Sequence, residues 1–178
     1  MKLNTEYYPG VCSEPPIATL GFVFNHTMLR VKDPATALDF YTRVLGMRLL
    51  RKLDFPEMKF SLYFLAQVLA GDGVPADPGE RTSWMFSQRA VLELTHNWDT
   101  ERDASFHYHD GNAQPQGFGH ICFSVPDLDA AMSWLDQCQV TYVKRPNQGK
   151  MKDVAFIKDP DGYWIEIIEP ARLKGLGR

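Results

Sequence analysis

No stretch of this 178-residue chain approaches the ~18 consecutive apolar residues of a membrane-spanning helix, so none is expected. The first ten residues, with Lys2, Asn4, Glu6 and two tyrosines, lack the apolar centre of a secretory leader. Cysteine is scarce: Cys12, Cys122 and Cys138 are odd in number and have no metal-type spacing. That argues against a disulfide framework or a cysteine metal site and leads us to expect reduced thiols in a cytoplasmic protein. An excess of charge is missing too. Nineteen Lys and Arg stand against 22 Asp and Glu, net -3, which gives no electrostatic reason to expect nucleic acid.

What the chain does have is a core of ordinary size, with 44% hydrophobic residues, and a repeat. His26 is followed by Val31 and Asp33; His120 is followed, at the same intervals, by Val125 and Asp127. Each Asp opens a run with helical spacing, Pro34 to Leu45 and Leu128 to Cys138. Asp33 suits an N-cap and Pro34 the first helical position, and Gly46 supplies a stop.

Taken in order, residues 1–23 read as an irregular arm. Strands follow at 26–32 and 47–54, and at Met58, Phe60, Leu62 and Phe64, which alternate with Lys59, Ser61 and Tyr63. Residues 70–82 read as an insertion loop, and Ala90 to Thr95 closes the first half. His96 to Gln116 is a long polar connector, of the kind that carries function. The second half repeats the order with strands at 119–125, 140–144, 153–158 and 163–168 and a turn at Asp159–Gly162. The expectation is an α+β chain with two βαβββ modules, about 24–98 and 117–170, within one domain spanning 24–178.

Glu93 lies between leucines and Glu166 between isoleucines, so each carboxylate points to the face opposite its apolar neighbours. A single histidine near a strand start is ordinarily structural, and a single inward Glu could pair with Lys or Arg. Two His and two Glu in matching repeats instead make a candidate divalent-metal set, suited to Zn, Ni, Cu or Fe. His96 should face away from Glu93, and His107 and His109 fall in the polar connector, where solvated histidines are the rule.

Seven stretches carry a resemblance: Thr27–Pro34, Leu38–Met47, Asp54–Pro56, Met58–Ala66, Leu92–Trp98, Gly117–His120 and Asp159–Ile167. They resemble, in order, the glyoxalase I (lactoylglutathione lyase) family of the vicinal oxygen chelate superfamily, in its long-loop form. The fold this implies is a pair of glyoxalase/bleomycin-resistance-type repeats whose curved mixed sheets surround a metal site. The implied activity isomerises the hemithioacetal of methylglyoxal and glutathione to S-lactoylglutathione through an enediolate, a methylglyoxal detoxification.

The resemblance assigns the metal to His26, Glu93, His120 and Glu166, with Glu166 as principal base and Glu93 as second base. It implies a homodimer in which each site takes His26 and Glu93 from one subunit and His120 and Glu166 from the other. Arg30, Asn97, Lys144 and Lys150 correspond to glutathione contacts, and Phe55, Met58, Leu62, Phe64, Met151 and Phe156 to an apolar pocket. The eukaryotic form has Gln at position 26 and Arg at the position of Gln116. Compact relatives have His at position 26 and use nickel or cobalt, and long-loop relatives use zinc; this chain joins the compact form's ligand to long loops, which favour zinc and leave nickel or cobalt as alternatives. Two rival readings share the fold, an iron ring-cleaving dioxygenase and a metal-free binding module. Glu93 and the Arg30/Asn97 pair weigh against the first, and the complete His/Glu set weighs against the second.

Overall fold

The computed structural model describes residues 9–12 and 14–175; the rest of the expected arm and the last three residues lie outside them. From Phe24 onward, strand β1 (His26–Arg30) runs into Asp33, whose side chain accepts from the Ala35 amide and caps α1 (Pro34–Asp39). The same device starts α3 (Leu128–Gln137), where Asp127 accepts from the Ala130 amide.

The first half continues with β2 (Arg48–Phe55), β3 (Phe60–Ala66), α2 (Pro78–Ser87) and β4 (Val91–Asn97). The second half has β5 (His120–Ser124), α3, β6 (Thr141–Lys144), β7 (Val154–Lys158) and β8 (Trp164–Ile168). The sheets have orders β1-β4-β3-β2 and β5-β8-β7-β6; β1–β4 and β5–β8 pair in parallel and the other neighbours are antiparallel. The βαβββ repeat is borne out, strand for strand.

Three local expectations need correction. The run from Pro34 to Leu45 is an α-helix only to Asp39; Phe40–Val44 makes a π turn, with the Leu45 amide bonding to the Phe40 carbonyl. Gly46, at φ 71°, then ends it. Met58 is not in a strand: Pro56–Met58 form a 3-10 turn and Lys59 sits at φ 53°, so the strand begins at Phe60. The 70–82 stretch is not all loop, because Pro78 to Thr82 begin α2. Asp77 caps it, accepting from the amides of Gly79 and Glu80, and Pro78 stands at the first position.

One apolar cluster joins the halves. It takes Leu29, Tyr41, Leu65 and Leu94 from the first half and Leu128, Leu135, Ile157 and Ile165 from the second, all buried. Polar bonds reinforce the join: the Trp134 indole donates to the Val44 carbonyl at 2.9 Å, and the Lys32 amide donates to Asp161 at 2.9 Å. Each sheet therefore buries one face in this shared core and turns the other away from it. A smaller cluster of Leu50, Phe64, Ala66, Met85 and Val91 packs α2 over one end of the first sheet's far face.

Candidate active site

Strand pairing puts Met28 opposite Glu93 and Glu93 opposite Phe64, so side chains of one parity share the face of the first sheet turned away from the main core, which α2 covers at one end. His26, Arg30, Glu93, Asn97, Leu62 and Phe64 are all on it. His26 Nε2 lies 3.1 Å from Glu93 Oε2. The second sheet repeats this: Phe156 and Cys122 pair with Glu166, and His120 Nε2 lies 3.4 Å from Glu166 Oε2.

These distances suit a metal. Ligands about 2.0–2.2 Å from one ion are separated by about 3 Å at right angles and about 3.4 Å at the tetrahedral angle. A ring nitrogen and a carboxylate oxygen 3.1 Å apart fit a cation shared between them. Among the described residues, no three His, Cys, Asp or Glu side chains of the chain come together as a ligand cluster. Each half offers two donors, one His and one Glu.

The two carboxylates are held differently. The Thr95 hydroxyl donates to Glu93 Oε1 at 3.1 Å. Glu166 instead has the Cys122 thiol beside it. Desolvation, and then the hydrogen bond to Glu166, push that thiol up to about 12, so it stays protonated as a weak donor. His120 packs edge-on against Phe156, with ring centroids 5.2 Å apart, and His26 stands edge-on to Phe64 at 6.0 Å.

The other expected contacts divide into three groups. Arg30 and Phe55 end their strands, Phe55 stacks on Phe60 at 4.7 Å, and Asn97 donates to the Tyr108 hydroxyl at 3.1 Å. Met58, Gln116, Lys150 and Met151 lie in exposed connections. Gln116 precedes Gly117, whose amide bonds to the carbonyl of Gly111. A Cβ at Gly111, where φ is 85°, would meet the Phe118 carbonyl oxygen at 2.0 Å, so glycine is required for that close approach. Lys144 is already engaged: its ammonium donates to the carbonyls of Met151 and Val154, and burial lowers its pKa. Phe64 is fully packed beneath α2.

His96 faces away from Glu93, as expected, and bonds Glu101 at 2.8 Å. His107 and His109 stay within their loop. Sequence reasoning missed Cys122, Thr95 and Asn25. Cys122 and Thr95 were findable, because they sit two residues from a site residue on the same strand and so share its face.

Residues 23–167 match the Glyoxalase/Bleomycin resistance protein/Dioxygenase superfamily. The chain belongs to this superfamily. A lactoylglutathione lyase from Pseudomonas aeruginosa is 57% identical, over 100% of this chain and 99% of its own length. Glyoxalase I of Saccharomyces cerevisiae is 48% identical over 87% of this chain and 45% of its own. The solved structure of the trypanothione-dependent glyoxalase I of Leishmania major superposes with TM-score 0.60 at 31% identity, covering 84% of this chain and 88% of that one.

Proposed function

We infer that the chain acts as a lactoylglutathione lyase, converting the hemithioacetal of methylglyoxal and glutathione to S-lactoylglutathione. The observation that carries this is the paired geometry, one His and one Glu at ligand separation on matching sheet faces, in a chain 57% identical to a lactoylglutathione lyase over its whole length.

His26, Glu93, His120 and Glu166 would hold a divalent metal, and zinc is favoured over nickel or cobalt because the long-loop form is present. When bound, the metal supplies Lewis-acid stabilisation of the charge that develops on the two substrate oxygens. Glu166 takes the proton from C1 and returns it to C2. The hydroxyl bond from Thr95 restrains Glu93 as a ligand, whereas the thiol of Cys122 is a weaker donor to Glu166 and leaves it freer to carry the proton. The net change is an isomerisation, so no oxidant or reductant is consumed.

Arg30 and Asn97 are assigned to one end of glutathione, the Arg because its planar fork matches a carboxylate. Lys150 would serve the other end. Lys144 commits N–H donors to the carbonyls of Met151 and Val154, so it would offer glutathione its charge more than a hydrogen bond. Leu62, Phe64, Phe156 and Met151 would line the methyl pocket, with Phe55 and Met58 at its rim. Gln116 gives a neutral contact where the eukaryotic enzymes have a cation.

Because each half carries two donors and no third within reach among the described residues, the complete site is assigned to the interface of a homodimer. The three cysteines are unpaired, which suits the cytoplasm, and no described helix is long and apolar enough to cross a membrane. The decisive experiment is the ultraviolet assay for thioester formation from methylglyoxal and glutathione. Metal-dependent product is expected, and no product with any divalent metal would overturn the reading.

A further inference from the structure

Asn25 lies directly behind His26. Both hydrogens of its amide are committed: Nδ2 donates to the Met85 carbonyl at 2.9 Å and to the Gln88 carbonyl at 2.8 Å, where α2 ends. The last carbonyls of a helix have no partner within it, so this side chain caps α2. With its nitrogen turned to the helix, the Asn25 oxygen must face the other way, and it meets His26 Nδ1 at 2.7 Å. The amide oxygen can only accept, so the ring donates from Nδ1, which leaves the lone pair of the neutral imidazole at Nε2. That lone pair is the one 3.1 Å from Glu93. The backbone of Asn25 is fixed too, since its carbonyl accepts from the Val91 amide at 2.9 Å.

The arrangement belongs to the first half. Among the described residues no hydrogen bond reaches the ring of His120, which relies on packing against Phe156. The helix that anchors Asn25 also brings Phe86 beside His26, with ring centroids 6.3 Å apart.

We propose that Asn25 is a positioning residue that locks His26 with its proton at Nδ1, and that through it helix α2 sets the presentation of one metal donor. Hydrogen-bonding the far nitrogen of a ligating imidazole fixes its ring and strengthens it as a donor. The insertion before β4 thereby gains a role in metal retention besides covering the sheet. The proposal rests on the reading of His26 as a ligand, and two measurements keep the two apart.

The first is nitrogen NMR of the histidine rings in the metal-free full-length chain, comparing parent, Asn25→Ala and Asn25→Asp. The parent should show the His26 proton on Nδ1; Ala should release it to both nitrogens, and Asp, which still accepts, should restore Nδ1. The second is a chelator competition for zinc, with His26→Ala as control. Asn25→Ala should weaken binding by ~10–100-fold, with Asp in between. Should His26→Ala bind zinc as the parent does, the ligand reading fails, while the ring spectrum still reports the lock. Should Asn25→Ala keep the Nδ1 proton, or Asn25→Asp lose it as Ala does, the lock is overturned. Zinc affinity of Asn25→Ala within twofold of the parent would likewise end its role in metal retention.

Discussion

The Tyr41 hydroxyl donates to Asp159 Oδ2 at 2.8 Å, across the join between the two halves of the chain. Both side chains are buried, and Asp159 also accepts from the amides of Asp161 and Tyr163. Burial, with the charge of Asp161 adding to it, lifts Asp159 from 3.8 to about 7 against the opposing pull of these bonds. Burial, and then the Asp159 carboxylate beside it, push the Tyr41 phenol well above its usual value. One polar contact thus ties the turn before β8 to the helical segment of the first half.

Removing the hydroxyl with Tyr41→Phe leaves a buried acceptor short of one partner, at a cost of about 1–3 kcal/mol. Urea unfolding should show that loss, with metal affinity unchanged in the folded chain. A change under about 0.5 kcal/mol, the usual size for a surface substitution, would mean the contact contributes nothing to the join.

The pH dependence has a definite sign. The folded chain keeps a proton on Asp159 that the unfolded chain releases above about 3.8, so this stabilisation is full below that pH and lost as pH rises through about 7. At roughly 1.4 kcal/mol per pKa unit, the change amounts to a few kcal/mol. Asp159→Asn, which is neutral throughout, should flatten stability across that window. An unchanged slope between pH 4 and 7 would contradict the assignment.

Glu166→Gln keeps an oxygen for the metal but cannot accept the C1 proton. Since proton transfer is the whole reaction, kcat at saturating metal should fall by at least the ~10²–10⁴-fold typical of a general base. Metal affinity should fall less, about 10–100-fold. Measuring kcat and metal content together decides it; turnover within tenfold of the parent with metal retained would pass the role to Glu93.

His26→Gln replaces an imidazole nitrogen with a neutral carbonyl oxygen, so the charge of the donor set is unchanged while its softness falls. Activity should persist with an altered order of preference among zinc, nickel, cobalt and manganese. Identical profiles across the four metals would contradict this.

Much of this was legible in the chain. The His26/Val31/Asp33 and His120/Val125/Asp127 spacing marked both strand-to-helix entries, and period-two alternation put Glu93 and Glu166 on the faces of His26 and His120. Helix α2 was not read, although Asp77-Pro78 is the same start signal as Asp33-Pro34, because the glycines and prolines of 71–79 mask it and only Met85 is buried. Met58 fits the alternation, but the proline two residues before it favours a turn. Asn25 carried no signal, since its role depends on carbonyls sixty and more residues away. Nor could sequence show that Lys144 spends its donors on its own loop.

The central claim, that each site needs one half from each of two chains, is tested most directly by mixing Glu93→Gln and Glu166→Gln chains after confirmed subunit exchange. In a two-fold dimer, a hybrid collects both substitutions in one site and leaves the other intact. Random pairing should then restore about a quarter of parental activity, from two variants each nearly inactive alone. No recovery in a mixture shown to contain hybrids would contradict the account.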